Sequence, residues 1–267
     1  MREFWLTNEN DEKWSLGTSS ESPLFSPSNL ITKTTDSYWE GQRTFFLTNS
    51  RDSMVTITAN VVFKNGMNEF QQFKRWCSVS SILWLHSKRD GCEARKCKVS
   101  MSITSVSELY GRSLIVNISF ARLTPWRGDS KTINFASSTS VSSFFIDLPK
   151  DGDIPTPFKI TIWFIDVTGT NSGIIISSYK NGSDVSRISS YSFLSTAGTN
   201  LTLCTEEGNQ YFNEFGGSHQ DLFPTINFAK DSFFQIEPDI PKLRLYDSKA
   251  TASWSGTLVI FPQYGEA

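Results

Sequence analysis

A β-hairpin that runs into a proline–tryptophan corner, Lys98 to Trp126, constrains the fold of this chain more than any other stretch. Val99, Met101 and Ile103 alternate with Ser100, Ser102 and Thr104, the period of two expected of a half-buried strand. Past Tyr110-Gly111-Arg112, where Gly111 can take a positive φ, Leu114, Val116, Ile118 and Phe120 alternate with Ile115, Asn117 and Ser119 and predict a returning strand. The odd step from Ile103 to Val106 breaks the pleat, so a bulge is expected near Thr104-Ser105. Pro125 ends the ladder, and the Trp126 indole, covering roughly 150–250 Å2, stabilises a core by on the order of 4–6 kcal/mol gross.

The rest of the chain reads as more of the same architecture. Phe4 and Leu6, then Trp14 and Leu16, bracket a polar turn from Asn8 to Lys13. Ser22 to Asn29, with Pro23 and Pro27, reads as a loop that cannot join a central strand. Arg43 to Thr48 and Ser53 to Phe63 are expected as strands joined by a turn at Asn49-Ser50-Arg51-Asp52. Asn68, with Gln71 three residues on, predicts a capped helix over about Asn68 to Cys77, whose stripe of Phe70, Phe73, Trp76 and Cys77 packs on a sheet. Ser80 to His86 is a further strand.

From Arg127 to Ser143 the apolar anchors thin out, which marks the expected domain boundary, with domains over 1–137 and 138–267. Beyond it, Phe158, Ile160, Ile162 and Phe164 alternate, and Gly173 to Tyr179 and Ser183 to Ile188 flank the hairpin turn Asn181-Gly182. Asn200 to Thr205, Ser232 to Glu237, Lys242 to Tyr246 and Ser253 to Phe261 add four short strands, the signature of a sandwich or jelly roll. The fold class expected is therefore mainly β, in two domains with one short helix.

A net charge of −2 with no block of like charge argues against a sequence-independent grip on nucleic-acid phosphates. Met1 to Leu6 lacks the apolar core of a signal peptide and no stretch approaches the ~18 apolar residues of a membrane span, so the chain is read as made in a cytoplasm. Cys77, Cys92, Cys97 and Cys204 then default to thiols.

Motifs that carry chemistry are weak throughout. His219 lies in a polar loop without a Gly-x-Ser-x-Gly elbow, and no phosphate-binding glycine motif is present. His86 with Cys77, Cys92 and Cys97 lacks the spacing of a zinc site. Asp151/Asp153 and Glu206/Glu207 are acidic pairs of a kind that most β-protein loops offer. Arg127-Gly128-Asp129 spells an adhesion tripeptide that a turn beside a linker explains as well. No catalytic, cofactor-binding or metal residue is therefore assigned, and the residues alone support a non-enzymatic, two-domain β protein.

The order of segments resembles the distal tail proteins (Dit) of siphophages that infect Gram-positive bacteria. The likeness lies in Arg2 to Asn8, in Leu24 to Ser28, in the strand, helix and strand from Val55 to His86, and in Val106 to Leu109 with Leu114 to Phe120 and Leu123-Thr124-Pro125-Trp126. Gly152 to Ile162 is similar to the family's Gly-Asp-x-Pro-x-Pro entry into its C-terminal domain, and Leu201 to Thr205 to a later strand. The resemblance implies an N-terminal sandwich-like domain that closes a hexameric ring and a C-terminal galectin-like sandwich. It implies a virion tail-tip hub, assembled in the host cytoplasm, that joins the tail tube protein to the tail-associated lysin or tip protein. It also implies that receptor-binding baseplate proteins are held there and that DNA passes through the ring, with no cofactor, no sequence-specific nucleic acid and no membrane.

The rival reading is a carbohydrate-binding module whose Trp163, Tyr179, Trp254 and Tyr264 stack on sugars. It lacks the His-x-Asn-x-Arg run of galectins. A metal- or thiol-dependent hydrolase built on the Cys-rich segment stands third.

Overall fold

The structure, a computed structural model, describes residues 2–17, 24–28, 33–40, 45–53, 55–108, 112–137, 139, 141–169, 174–190, 199–206, 209–215, 220–222, 226, 233–246 and 250–266. Residues 24, 26, 33–40, 45–53, 166–169, 190, 220 and 250 are described by their backbone alone. Gly111 and His219 lie outside the described residues. Two compact units emerge: Met1–Asp129 with Tyr264–Ala267, and Ser130–Gln263.

Unit 1 holds β1 (Arg2–Thr7), β2 (Lys13–Leu16), β3 (Leu24–Pro27), β4 (Lys33–Glu40), β5 (Phe45–Ser53), β6 (Thr56–Phe63), α1 (Gly66–Val79), β7 (Leu83–Arg89), β8 (Arg95–Glu108), β9 (Leu114–Arg122) and β10 (Trp126–Arg127). Its main sheet runs β2-β1-β7-β8-β9-β6-β3. The sheet curls until its ends meet, since the Phe25 N–H donates to the Gly17 carbonyl at 2.7 Å. Phe25 of the last strand also sits edge-on to Phe4 of β1, with ring centroids 5.1 Å apart. The facing walls enclose Leu6, Ile57, Phe63, Phe73, Phe120 and Trp126, all within 1% of full burial. Helix α1 turns Phe70, Phe73 and Cys77 into that core, and Phe73 meets Phe63 at 5.4 Å and Trp14 at 5.5 Å.

Several sequence expectations shift. The helix begins at Gly66, two residues before the expected start, and its N-cap is Asn65. Asn68 does not cap it; the Glu69 carboxylate instead accepts the Asn65 N–H at 3.1 Å. Gly66 has φ +68, and a Cβ there would stand 2.3 Å from the Arg112 carbonyl, so the start is fixed by close backbone approach. Asn49 to Asp52 is not a turn: these residues pair with Thr34 to Ser37 inside the β4–β5 hairpin. The Pro27 segment forms a short strand that lies at the end of the sheet order, where a missing N–H is tolerated. The bulge falls where expected, with the β8–β9 register shifting between Ile103 and Ser105.

Unit 2 holds β11 (Lys131–Ala136), β12 (Ser143–Asp147), β13 (Phe158–Gly169), β14 (Ile174–Lys180), β15 (Ser183–Ser190), β16 (Asn200–Cys204), β17 (Tyr211–Phe215), β18 (Gln220–Asp221), β19 (Lys242–Tyr246) and β20 (Ala250–Ile260), with β21 (Gln263–Tyr264) after them. A six-stranded sheet, β11-β20-β13-β16-β17-β18, and a four-stranded sheet, β12-β19-β14-β15, supply inward residues to one core: Ile160, Ile162 and Leu258 from the first, Ile176, Ile188 and Leu243 from the second. That is a β-sandwich. The turn Asn181-Gly182 closes β14–β15 with both residues at positive φ.

Within the stretch from Arg127 to Ser143, β11 pairs with β20 along its length and so belongs to unit 2. Ser232 to Glu237 does not form a ladder among the described residues; Ile236 makes one isolated bridge to Thr156. After unit 2 the chain returns to unit 1, where the Arg95 guanidinium lies 3.7 Å from the Tyr264 ring centroid and donates to the Glu266 carbonyl at 2.8 Å. No helix among the described residues is long and apolar enough to cross a membrane.

Candidate assembly surface

The hairpin that anchors the sequence reading also carries an open strand edge of unit 1 among the described residues. Strand β7 pairs with β8 from Arg95 to Val99 and then ends. From Ser100 to Glu108 one side of β8 stays on β9, while no strand among the described residues pairs with its other side. Hydroxyls reinforce the paired side: Thr104 donates to the Asn117 carbonyl at 3.0 Å and Ser102 to the Ser119 carbonyl at 3.5 Å. The open side borders a groove of about 510 Å3 lined by Leu83, Met101, Ile103, Leu123, Lys74 and Lys98 among others. Leu123 is 50% exposed, a large apolar side chain left in water at the groove's rim.

Strands β4 and β5 pair with each other and, among the described residues, with nothing else. Their register sets Tyr38 opposite Leu47 and Trp39 opposite Phe46.

A second surface, on the outer face of β2, β1, β7 and β8, combines aromatic and basic groups. Trp5 stacks on His86 at 4.9 Å, Lys13 lies 4.7 Å from the Trp5 ring and Lys96 5.4 Å from that of Trp84. His86 Nε2 is 2.9 Å from Thr7 Oγ1. Burial, with the charges of Lys96 and Lys13 adding to it, lowers the His86 pKa to about 4. Between that value and the ordinary 6.5 the unfolded chain binds more protons than the folded one. The His86 contribution to stability is therefore full above pH 6.5 and is lost as the pH falls toward 4. Urea midpoints measured across that window should fall with acidification, and His86→Gln should flatten the fall.

The residues weighed from sequence for chemistry do not converge. His86 faces outward, whereas Cys97, opposite the neighbouring Leu85, is fully buried on the inner face, and Cys77 sits in the same core. No group of three His, Cys, Asp or Glu among the described residues could hold a metal ion. Burial pushes the Cys77 and Cys97 thiols up to about 12 and raises that of Cys204, while Cys92 is exposed. A water-soluble maleimide should thus label one thiol per native chain, Cys92, and the other three once the chain unfolds; mass spectrometry of the labelled peptides checks it.

The four aromatics of the saccharide reading are also scattered. Trp254 is fully buried, its indole N–H donating to the Val141 carbonyl at 3.2 Å, and Tyr264 stacks under Arg95 in unit 1. Trp163, 40% exposed, lies on the six-stranded sheet and Tyr179 on the four-stranded one. Sequence reasoning did not locate the open edge or the β4–β5 hairpin; the aromatic pairs either side of Glu40 to Thr44 were the available signal for the hairpin.

Residues 3–123 match the family described as distal tail protein, N-terminal domain. The fold is similar to that of SPP1 Dit (gp 19.1), described as a paradigm of the hub adsorption apparatus in phages infecting Gram-positive hosts. That match has a TM-score of 0.64 and 10% identity over 97% of this chain and 98% of that one. A chain of the phage P2 baseplate, in its activated conformation with calcium, is similar at a TM-score of 0.52 and 13% identity over 100% of both chains. At such identities the structural likeness speaks for the fold alone. No curated protein sequence matches the chain.

Proposed function

We propose that this chain, whose residues 3–123 match the N-terminal domain of the distal tail protein family, is a member of that family and closes with five further copies into a hexameric ring at the tail tip of a siphophage. The family is a structural tail-hub family and not an enzyme family, and its place is the phage tail and baseplate. The match over residues 3–123 carries the proposal, because it falls on unit 1, the unit with the open strand edge.

In this reading unit 1 forms the ring and unit 2, as a galectin-like sandwich, offers surfaces to the baseplate. The ring joins the tail tube protein to the tail-associated lysin or tip protein and holds the receptor-binding proteins of a phage of Gram-positive bacteria. The chain assembles in the host cytoplasm, and DNA leaves through the ring. A net charge of −2 suits that passage, since a strongly basic channel would hold the phosphates. Host recognition then rests with partner proteins.

Negative-stain microscopy of the purified chain tests the ring: six-fold annular particles are expected. Particles of a single 30.1 kDa chain at every concentration tried, confirmed by light scattering, would overturn it.

A further inference from the structure

We propose that the outer face of the six-stranded sheet of unit 2 binds a neutral oligosaccharide, with the Trp163 indole as its stacking platform and the hydroxyls and amides around it as hydrogen-bond partners. The inference goes beyond the ring reading above and does not depend on it.

Ile162, Leu201 and Trp254 face the core of this sandwich, so by alternation Trp163, Asn200 and Ser255 point outward. The register sets Trp163 between Ser255 of β20 and Asn200 of β16. Its side chain is 40% exposed, and its ring meets no other ring among the described residues. Tryptophan is highly buried on average, so an indole left in water on a sheet face calls for a ligand.

One step along the strands, Asn134, Thr257, Thr161, Thr202 and Asn213 stand in line across five strands. Thr202 is nearly buried and forms the floor of that line, its Oγ1 3.2 Å from Thr161 Oγ1. Neither this row nor the one that holds Trp163, from Ala136 to Phe215, carries a charged side chain, in a chain of which 19% of residues are charged. Lys159 enters only in the row beyond.

Those properties select the ligand. A pyranose ring packs a face of C–H bonds on an indole and surrounds it with hydroxyls that both donate and accept. Thr and Ser hydroxyls and Asn amides match both roles, whereas a lysine only donates and a carboxylate only accepts. A protein interface core is enriched in Met and Arg and depleted in Ser, and neither Met nor Arg occurs in these rows. At about 4.8 Å between strands, the five-residue row spans roughly 19 Å, room for several sugar units. Choice of host stays with the partner proteins of the reading above. One face of this kind holds a sugar weakly, and several on one particle hold a polysaccharide by avidity.

Ligand-observed saturation-transfer NMR on the full chain tests it, with uncharged hexasaccharides of glucose, of galactose and of N-acetylglucosamine, and with hexagalacturonate as the anionic control. At least one neutral hexasaccharide should bind at up to about 10 mM and the anionic one should not. Trp163→Ala should weaken that binding at least about tenfold with the melting temperature unchanged, and Asn200→Ala about threefold. Should Trp163→Ala fail to fold, Ser255→Lys, which sets a long charged chain beside the indole, takes its place with the same expectation.

No binding by any neutral hexasaccharide at that concentration, or binding that a folded variant leaves unchanged, would overturn the inference, as would binding of the anionic control alone. Rings that form without saccharide binding leave the hub reading standing by itself. Binding by a chain that never assembles supports the inference and removes the ring.

Discussion

Gly256→Val is expected to cost at least about 3 kcal/mol and to lower the melting temperature of the second sandwich by roughly 10 °C or more. Gly256 lies on β20 between Trp254 and Leu258 on the core-facing side, opposite Phe135 of β11 and Ile162 of β13. A Cβ there would stand 2.1 Å from the Thr161 carbonyl oxygen and 2.6 Å from Cζ of Phe135. The first contact is with backbone of the adjacent strand, which cannot swing away as a side-chain end can. The second is with a ring that covers the glycine across the strand pair, a known device for offsetting a missing side chain in a sheet. Relief would require β20 and β13 to part, breaking the longest ladder of unit 2. Circular dichroism melts of wild type, Gly256→Ala and Gly256→Val should rank in that order. A valine variant that melts with wild type would mean that the strands separate at little cost.

The parts of the fold legible in the sequence are those in which local pattern and tertiary need coincide. Alternation along Val99 to Ile103 and Leu114 to Phe120 reports a sheet with one dry face, and its one phase slip located the bulge. The Phe70, Phe73, Cys77 stripe reported a helix on a core. Asn181-Gly182 reported a turn because few other pairs tolerate two positive φ values.

What stayed hidden depends on partners far along the chain. Asn49 to Asp52 has turn composition, yet it is extended because Thr34 to Ser37 lies beside it. Phe234 and Ile236 alternate as a strand would, but they serve as buried anchors of a segment held by a single bridge. The candidate surface was the least legible of all. Whether β8 has an open edge is decided by where β7 stops, at Leu83 opposite Val99, and nothing within Ser100 to Glu108 records that. The absence of Lys and Pro there is informative only once the edge is known to be open.

The corner from Leu123 to Trp126 separates the two demands on this hairpin, holding unit 1 together and presenting a surface. Trp126 is fully buried in the unit 1 core, and Tyr264 packs against the same cluster. Trp126→Ala should cost about 3–5 kcal/mol, the lost transfer of the indole plus the cavity it leaves, and lower the melting temperature by roughly 10–20 °C. Trp126→Phe, which keeps most of the apolar volume, should recover more than half of that. Leu123, three residues earlier and half in water, should behave in the opposite way: Leu123→Ala is expected to stay within about 0.5 kcal/mol of wild type in urea unfolding while loosening association at the groove. Equal stability losses from the two alanines would mean that Leu123 belongs to the core after all, and the groove would lose its apolar rim as a contact surface.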